Sequence, residues 1–73
     1  IKLYPNPVKD ILKLNLPNGE KIATIEVYNS LGQKLSDFSN VEKINLKQLK
    51  AGVYIIHLKN NSGKTYTSKI VKQ

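Results

Sequence analysis

The stretch LKAGVYIIHLK, from Leu49 to Lys59, is the most informative part of this chain. After Gly52 its side chains alternate with a period of two, which predicts a β-strand because successive strand side chains point to opposite faces. Apolar residues occupy both faces, and this favours a central strand. One face would carry Tyr54, Ile56 and Leu58, and the other Val53, Ile55 and His57.

The beginning of this stretch, Leu49-x-x-Gly52-x-Tyr54, is typical of a corner in Greek-key sandwiches. At such a corner a tyrosine near the start of a late strand turns back, and its hydroxyl bonds a backbone group a few residues upstream. We expect Leu49 to fill the core and Gly52 to permit a sharp bend. Residues 47–52 are too few for a stable helix and should form a tight loop or a single helical turn.

Outward from this strand, short strand patterns cover most of the chain. Turn signals separate them at intervals of about 8–12 residues, and no segment has helical periodicity. The pattern predicts an all-β domain of about six or seven strands, either an antiparallel sandwich or a small barrel. The other predicted strands are 12–16, 22–28, 33–38, 42–46 and 64–71.

The same patterns predict which side chains enter the core and where the chain turns. Pro17-Asn18-Gly19-Glu20 contains Asn-Gly, the strongest short hairpin signal, and Gly32 is expected to adopt a positive φ in the turn 29–32. A further turn is expected at 60–63. The side chains expected to point inward are Leu35, Ile44 and Leu46. Ala23, Ile25 and Val27 are expected to share one face of their strand, and Tyr66, Ser68 and Ile70 one face of the last strand.

The composition excludes several kinds of site. The 73 residues include 12 lysines, no arginine and five acidic residues, which gives a formal charge of +7, and there is no cysteine, methionine or tryptophan. Without cysteine there is no disulfide and no thiolate ligand or nucleophile, and a single histidine cannot build a multi-histidine metal site. No apolar run reaches the ~18 residues that span a membrane. We therefore expect no cofactor, no metal and no membrane insertion.

The lysines do not predict a nucleic-acid partner. They are spread from Lys2 to Lys72, and arginine, whose planar fork reads base edges and phosphates, is absent. Their simplest role is to keep strand faces and edges soluble. General attraction to another polyanion is the alternative.

No catalytic residue is predicted. His57 is most simply a partly exposed strand residue, and the acidic residues stand in turns or at polar strand positions rather than as a carboxylate pair. A small hydrolase would instead require His57 within hydrogen-bond reach of a carboxylate and a serine or threonine.

The segment Tyr4-Pro5-Asn6-Pro7 is a special feature near the beginning of the chain. Its two prolines remove two backbone donors, so a strand ladder cannot run through it. Asn6 is pushed towards an extended conformation because it precedes Pro7. The segment predicts a stiff corner that leads into the following strand.

Five short motifs, spread over essentially the whole chain, together resemble one known family. The family is the type A C-terminal sorting domain of the bacterial type IX secretion system, also called the Por secretion tail. Each motif alone is weak, but their order and spacing are specific. The motifs are Tyr4-Pro5-Asn6-Pro7, the segment 27–33, Leu49-x-x-Gly52-Val53-Tyr54, Asn61-Ser62-Gly63-Lys64 and Lys69-Ile70-Val71-Lys72.

The resemblance implies a transport signal and not an enzyme. It implies a seven-stranded, antiparallel, immunoglobulin-like Greek-key sandwich, with residues 1–73 forming one C-terminal sorting domain of a longer secreted protein. The partners it implies are the type IX translocon, its shuttle proteins and a sortase-like cysteine peptidase that removes the domain. The protein would pass through the periplasm and then reach the cell surface or the medium.

The resemblance also singles out candidate residues. The recognition candidates are Lys69, Ile70, Val71 and Lys72, and we expect an exposed edge along 66–72 to pair with a partner strand. The same edge leaves weak homodimerisation through strand pairing open. The motif residues expected to serve the fold are Tyr4, Pro5, Asn6, Pro7, Gly32, Leu49, Gly52, Tyr54 and Gly63.

A second class of function stays open beside the sorting domain. A carbohydrate-binding or adhesion module of a secreted enzyme would share the sandwich and its position in the parent protein. It predicts a ligand-sized groove with an exposed Tyr28 or Tyr66.

Overall fold

The computed structural model describes residues 2–73, which form seven β-strands and one short 3-10 turn at Pro17–Gly19. No helix within these residues is long and apolar enough to cross a membrane. The strands are β1 (Lys2–Tyr4), β2 (Ile11–Asn15), β3 (Ile22–Asn29), β4 (Lys34–Ser39), β5 (Lys43–Asn45), β6 (Gly52–Asn60) and β7 (Thr65–Lys72).

The strands form two sheets, one of three strands in the order β1-β2-β5 and one of four in the order β4-β3-β6-β7. Neighbouring strands are antiparallel in both sheets. Immunoglobulin-like sandwiches likewise separate their first, second and fifth strands from their third, sixth and seventh. Here the fourth strand pairs with the third. The expected seven-stranded, all-β sandwich is confirmed.

A core of apolar side chains fills the space between the sheets. Each fully buried aliphatic side chain contributes about 1.5–3 kcal/mol, whereas an exposed ion pair contributes about 0–1 kcal/mol. The core is therefore what holds the two sheets together. Its members are Val8, Leu12, Leu14, Leu16, Ile22, Ile25, Val27, Ile44, Leu46, Tyr54, Ile56, Leu58 and Ile70.

The predicted faces of β5 and β7 are confirmed. Ile44 on β5 and Leu46 just after it are buried. On β7, Ile70 is buried, and Tyr66 and Ser68 on the same face are half-buried. Both strands follow the simple rule that alternate side chains share a face.

β6 lies between β3 and β7, so its central place in the sheet is confirmed. Tyr54 and Ile56 face the core as predicted. On the other face, His57 is exposed, in line with the expectation for this residue, and Val53 is 40% exposed. A two-layered sandwich buries only the inner face of each sheet, so apolar residues on the outer face of β6 remain at the surface.

The turn at 17–20 does not form the predicted hairpin. β2 and β3 belong to different sheets, and the chain between them makes one tight turn closed by the Glu20 N–H and the Pro17 carbonyl at 3.1 Å. Leu16 and Ile22, on either side of this turn, are both buried in the core. The chain crosses from one sheet to the other because both flanking apolar residues must enter the space between the sheets.

Leu35 is not the inward anchor of β4, since it is 42% exposed. Val27 pairs with Ser36, and the register shifts directly after Val27. Residues opposite each other in a ladder share a face, so Ser36 faces inward with Val27, and Phe38 does so two residues later. Phe38, half-buried, packs against the core in place of Leu35.

A second shift in register, between Ile22 and Thr24, changes the inner face of β3. Ile22 is buried while Ala23 is only half-buried, so Ile22, and not Ala23, joins the buried Ile25 and Val27 at this end of the strand. An extra residue in one strand turns the side chains before it to the other face, which a strict period of two cannot anticipate.

Candidate functional site

The four recognition candidates at the end of β7 divide between two faces. Lys69 and Val71 lie on the outer face of the four-stranded sheet and are exposed, whereas Ile70 and Lys72 are buried. The Lys72 ammonium group donates to the Gln73 carbonyl at 2.9 Å. Of these four residues, only Lys69 and Val71 present their side chains to a partner of the folded domain.

The prolyl segment near the N-terminus lies against this strand. The side-chain oxygen of Asn6 accepts a hydrogen bond from the Val71 N–H at 3.0 Å, and the Asn6 amide donates to the Lys69 carbonyl at 3.5 Å. The Asn6 carboxamide thus takes the place of a strand peptide, which the flanking Pro5 and Pro7 cannot supply because they lack N–H groups. The stiff corner expected at residues 4–7 therefore binds the last strand, and we call this segment the N-terminal clamp.

Val8 extends this clamp by one residue. Its N–H donates to the Val71 carbonyl at 2.8 Å, and its own carbonyl accepts from the Gln73 N–H at 2.8 Å. The Val8 side chain is fully buried, which anchors the segment in the core. The free edge expected along 66–72 is therefore closed at Val71, because both backbone groups of this residue are bonded within the chain.

The corner at the start of β6 has the predicted geometry. The Tyr54 hydroxyl donates to the Lys50 carbonyl, four residues upstream, at 2.7 Å. Leu49 is half-buried and packs against the core. Gly52 has a φ of 155°, at the boundary of the region that favours glycine. The corner orients β6 and contributes no reactive group to the surface.

Two hairpin turns share one construction that sequence reasoning missed. The side-chain oxygen of Asn29 accepts from the Leu31 and Gln33 N–H groups, both at 2.9 Å. The side-chain oxygen of Asn60 likewise accepts from the N–H groups of Ser62 at 3.0 Å and Lys64 at 2.8 Å. Both turns have the sequence Asn-x-x-Gly, at 29–32 and 60–63. This shared spacing was the signal in the sequence that could have predicted the side-chain bonds of the two asparagines.

Gly32 has the predicted conformation, and Gly63 has the same one. Gly32 has a φ of 84° and Gly63 a φ of 87°, so both lie in the left-handed region. Each N–H bonds the carbonyl of the asparagine three residues earlier, at 3.0 Å in both turns. The two motif glycines therefore serve the hairpins β3–β4 and β6–β7.

A polar network joins the turn before β3 to the turn before β7. The Glu20 carboxylate accepts hydrogen bonds from the Asn60 amide and the Tyr66 hydroxyl, both at 2.8 Å. These bonds favour the charged carboxylate, and they lower the pKa of Glu20 below its usual value of 4.5. The same bond to Glu20 raises the pKa of Tyr66.

His57 does not form the arrangement that a hydrolase would need. Its Nδ1 lies 3.1 Å from the Thr67 hydroxyl, and its ring packs edge-on against Tyr28 with centroids 4.9 Å apart. Glu26, its ladder neighbour on β3, is instead bound by the Lys34 ammonium group at 3.3 Å. Lys34 also binds Asp37 at 2.7 Å, and the hydrogen bonds to Asp37 and Glu26 raise its pKa.

An open groove of about 1090 Å³ lies on the surface beside the three-stranded sheet. It is lined in part by Tyr4, Lys13 and Glu42. Neither Tyr28 nor Tyr66 lines it, and both are half-buried, so the groove does not match the one expected of a carbohydrate-binding module. Within residues 2–73, no group of three or more histidine, aspartate or glutamate side chains could hold a metal ion.

Comparison with known proteins places the chain among sorting domains. The family described as "Secretion system C-terminal sorting domain" matches residues 2–73. Beta-agarase A of Zobellia galactanivorans is 42% identical in an alignment of length 65 that covers 85% of this chain and 12% of that protein. Endo-acting ulvan lyase of Formosa agariphila is 29% identical in an alignment of length 75 that covers 97% of this chain and 14% of that protein. The chain thus spans only a small part of the length of these two curated relatives.

Proposed function

The chain belongs to the family of secretion system C-terminal sorting domains, and on that premise we propose that it directs the protein carrying it across the outer membrane through the type IX secretion system. The observation that carries the proposal is the family match over residues 2–73, which includes every strand of the sandwich. Domains of this family are signals rather than catalysts, so no reaction is assigned to the domain.

The contact between the N-terminal segment and the last strand supports a signal that a receptor recognises only after the domain has folded. Val8 bonds both Val71 and Gln73 across the sandwich, and Asn6 bonds Val71. A surface built on the last strand therefore takes its shape only when the N-terminal segment is in place. This favours a receptor that binds the folded domain over one that binds an extended tail.

The proposal includes the route of the cargo. The translocon and its shuttle proteins bind residues 1–73, a single C-terminal domain of the longer protein, during passage through the periplasm. A sortase-like cysteine peptidase then removes the domain, and the cargo stays on the cell surface or enters the medium. The absence of cysteine supports this route, because an oxidising compartment would otherwise permit mispaired disulfides.

An export assay tests the proposal. Residues 1–73 are fused behind a fluorescent reporter with a periplasmic signal, and the fusion is expressed in a strain with a working type IX system and in a translocon-null strain. We expect fluorescence on the surface or in the medium of the first strain only. A protease-resistant fusion that stays in the periplasm of both strains would contradict the proposal.

Removal of the domain is tested separately in a strain that lacks the surface peptidase. We expect the exported reporter to keep the domain in that strain and to lose it in the parent strain, as measured by mass spectrometry. If the domain stays attached in both strains while export continues, the sorting function stands and the proposed removal is wrong.

A further inference from the structure

The edge of β7 is closed at Val71, and this limits how a partner can bind the last residues of the strand. The N–H and carbonyl groups of Val71 that point away from β6 are bonded to Asn6 and Val8. A partner strand cannot pair with these groups unless the N-terminal clamp is displaced. The end of β7 in the folded domain is therefore accessible through side chains on the outer face, namely those of Lys69 and Val71.

On this basis we propose that the secretion machinery recognises an apolar patch on the outer face of the four-stranded sheet, and not the backbone edge of β7. This inference rests on the sorting function proposed above and adds the surface and the kind of partner that fits it. We call this surface the outer patch, and it consists of Val53, Val71, Ile55, Tyr28 and Lys69.

The centre of the outer patch is a pair of valines. Val53 on β6 and Val71 on β7 are direct ladder partners, so their side chains lie side by side. Each is 40% exposed, and they are among the most exposed large apolar side chains of residues 2–73. Two apolar side chains that stay at the surface bury little apolar area when the chain folds. A partner that covers them would bury that area and so gain binding free energy.

The next row of the same face continues the patch across three strands. Ile55 on β6 is paired with Tyr28 on β3 and with Lys69 on β7. Tyr28 and Ile55 are half-buried, and Lys69 is exposed. The apolar surface therefore runs from the edge strand to β3 and has a cation at its border.

The other end of this sheet face is polar, so the apolar patch does not extend over the whole face. Lys59 on β6 is paired with Thr24 on β3 and Thr65 on β7, and all three side chains are exposed. This row lies six residues from Val53, about 20 Å along the strands. One sheet face thus has a polar end and an apolar end, and the apolar end coincides with the last residues of β7.

Charge favours a protein partner with acidic groups over a second copy of this chain. The chain carries a formal charge of +7, and Lys69 borders the patch. Among residues 2–73 the cation that forms ion pairs is Lys34, which binds Glu26 and Asp37 on the same sheet. Two copies joined through this face would bring cationic surfaces together, whereas a partner with carboxylates around an apolar contact would match it.

The test compares two glutamate substitutions on the same outer face. Val53→Glu introduces a charge into the outer patch, and Thr65→Glu introduces one at the polar end. Both are made in the export reporter fusion. We expect Val53→Glu to reduce the exported fraction about tenfold or more, as for a central contact residue, and Thr65→Glu to leave export near that of the parent fusion.

Two controls keep the outcomes separate. Protease resistance of the periplasmic fusion must be the same for the parent and both variants, and Val53→Thr serves if Val53→Glu fails to fold. Normal export of the folded Val53 variants would overturn the outer patch while leaving the sorting function intact. A parent fusion that is itself not exported would contradict the sorting function instead.

Sedimentation of the fusion tests whether a second copy of this chain, rather than a partner of the secretion machinery, covers the outer patch. We expect the parent and Val53→Glu to be monomers at the same concentration. A parent dimer that Val53→Glu dissociates would show that a second copy covers the patch, and this would overturn the assignment to a partner of the secretion machinery.

Discussion

The side-chain oxygen of Asn6 accepts a hydrogen bond from the backbone N–H of Val71 at 3.0 Å, across 65 residues of chain. This bond joins the prolyl corner that precedes β2 to the last strand. It uses a side chain where a sheet would ordinarily use a peptide group, and it occupies an edge that would otherwise be open to pairing. The domain thereby closes the end of this sheet edge at Val71.

Asn6→Ala is expected to destabilise the domain by about 0.5–1.5 kcal/mol, because the exposed Val71 N–H exchanges its protein acceptor for water. Equilibrium denaturation measures the loss, and amide exchange should accelerate at Val71. Asn6→Asp is the matched control, since it keeps the acceptor oxygen and loses only the long bond of 3.5 Å to the Lys69 carbonyl. Equal stability of Asn6→Ala and the parent would show that the bond does not hold the edge.

The two asparagine turns should differ in their tolerance of alanine. Asn29→Ala and Asn60→Ala each remove an acceptor for two backbone N–H groups. The Asn29 amide donates to Gln33 in an exposed bond, whereas Asn60 is only 4% exposed and its amide donates to the Glu20 carboxylate. The loss of Asn60 is therefore expected to cost about 1 kcal/mol more. Denaturant midpoints of the two variants make the comparison, and a larger effect at Asn29 would contradict it.

The Glu20 network predicts a dependence of stability on acid. Asn60 and Tyr66 lower the pKa of Glu20 in the folded chain below its usual value of 4.5. The stability from this group is therefore fully present above the unfolded pKa and is lost as the pH falls through the lower, folded pKa. We expect Glu20→Gln to be less stable than the parent at pH 7 and to approach it in acid.

Thermal unfolding at several pH values measures the difference between the parent and Glu20→Gln. Tyr66→Phe supplies a control, because it removes one of the two hydrogen bonds and should make the acid-dependent part smaller without abolishing it. A difference between the parent and Glu20→Gln that stays constant from pH 7 into acid would contradict the role of the carboxylate.

Two lysines on the outer face of the three-stranded sheet are expected to repel each other. Lys13 on β2 and Lys43 on β5 are direct ladder partners, and both are exposed. Lys43→Glu should stabilise the domain by about 0.2–1 kcal/mol in dilute buffer, and the gain should fade at about 1 M salt. Lys59→Glu is the control with the same change in net charge, because its ladder partners are threonines.

Much of the fold could be predicted because it depends on local patterns. The period-two alternation correctly placed Tyr54, Ile56 and Leu58 in the core. The spacing Leu49-x-x-Gly52-x-Tyr54 predicted a corner whose hydrogen bond spans four residues. Such features depend on neighbours that are close in the chain, so a single sequence is sufficient to find them.

The errors arose where register or pairing decided the outcome. Leu35 was placed inward by its hydrophobicity, but the shift after Val27 puts Phe38 there. Asn-Gly at 18–19 indicated a turn, yet that signal does not specify whether the flanking strands share a sheet. A shift of one residue reverses the faces of a strand, so a local pattern alone does not determine which residues are buried.

The sequence by itself determined an all-β domain, its turns, the inner face of its central strand and a resemblance to secretion sorting domains that the family match bears out. Only the tertiary structure decided which edge of the sandwich is open and which side chains share a surface. Asn6 reaches Val71, and Val53 stands beside Val71, through contacts between distant parts of the chain. Such contacts form only when the core brings the strands together, and alternation along one strand carries no information about them.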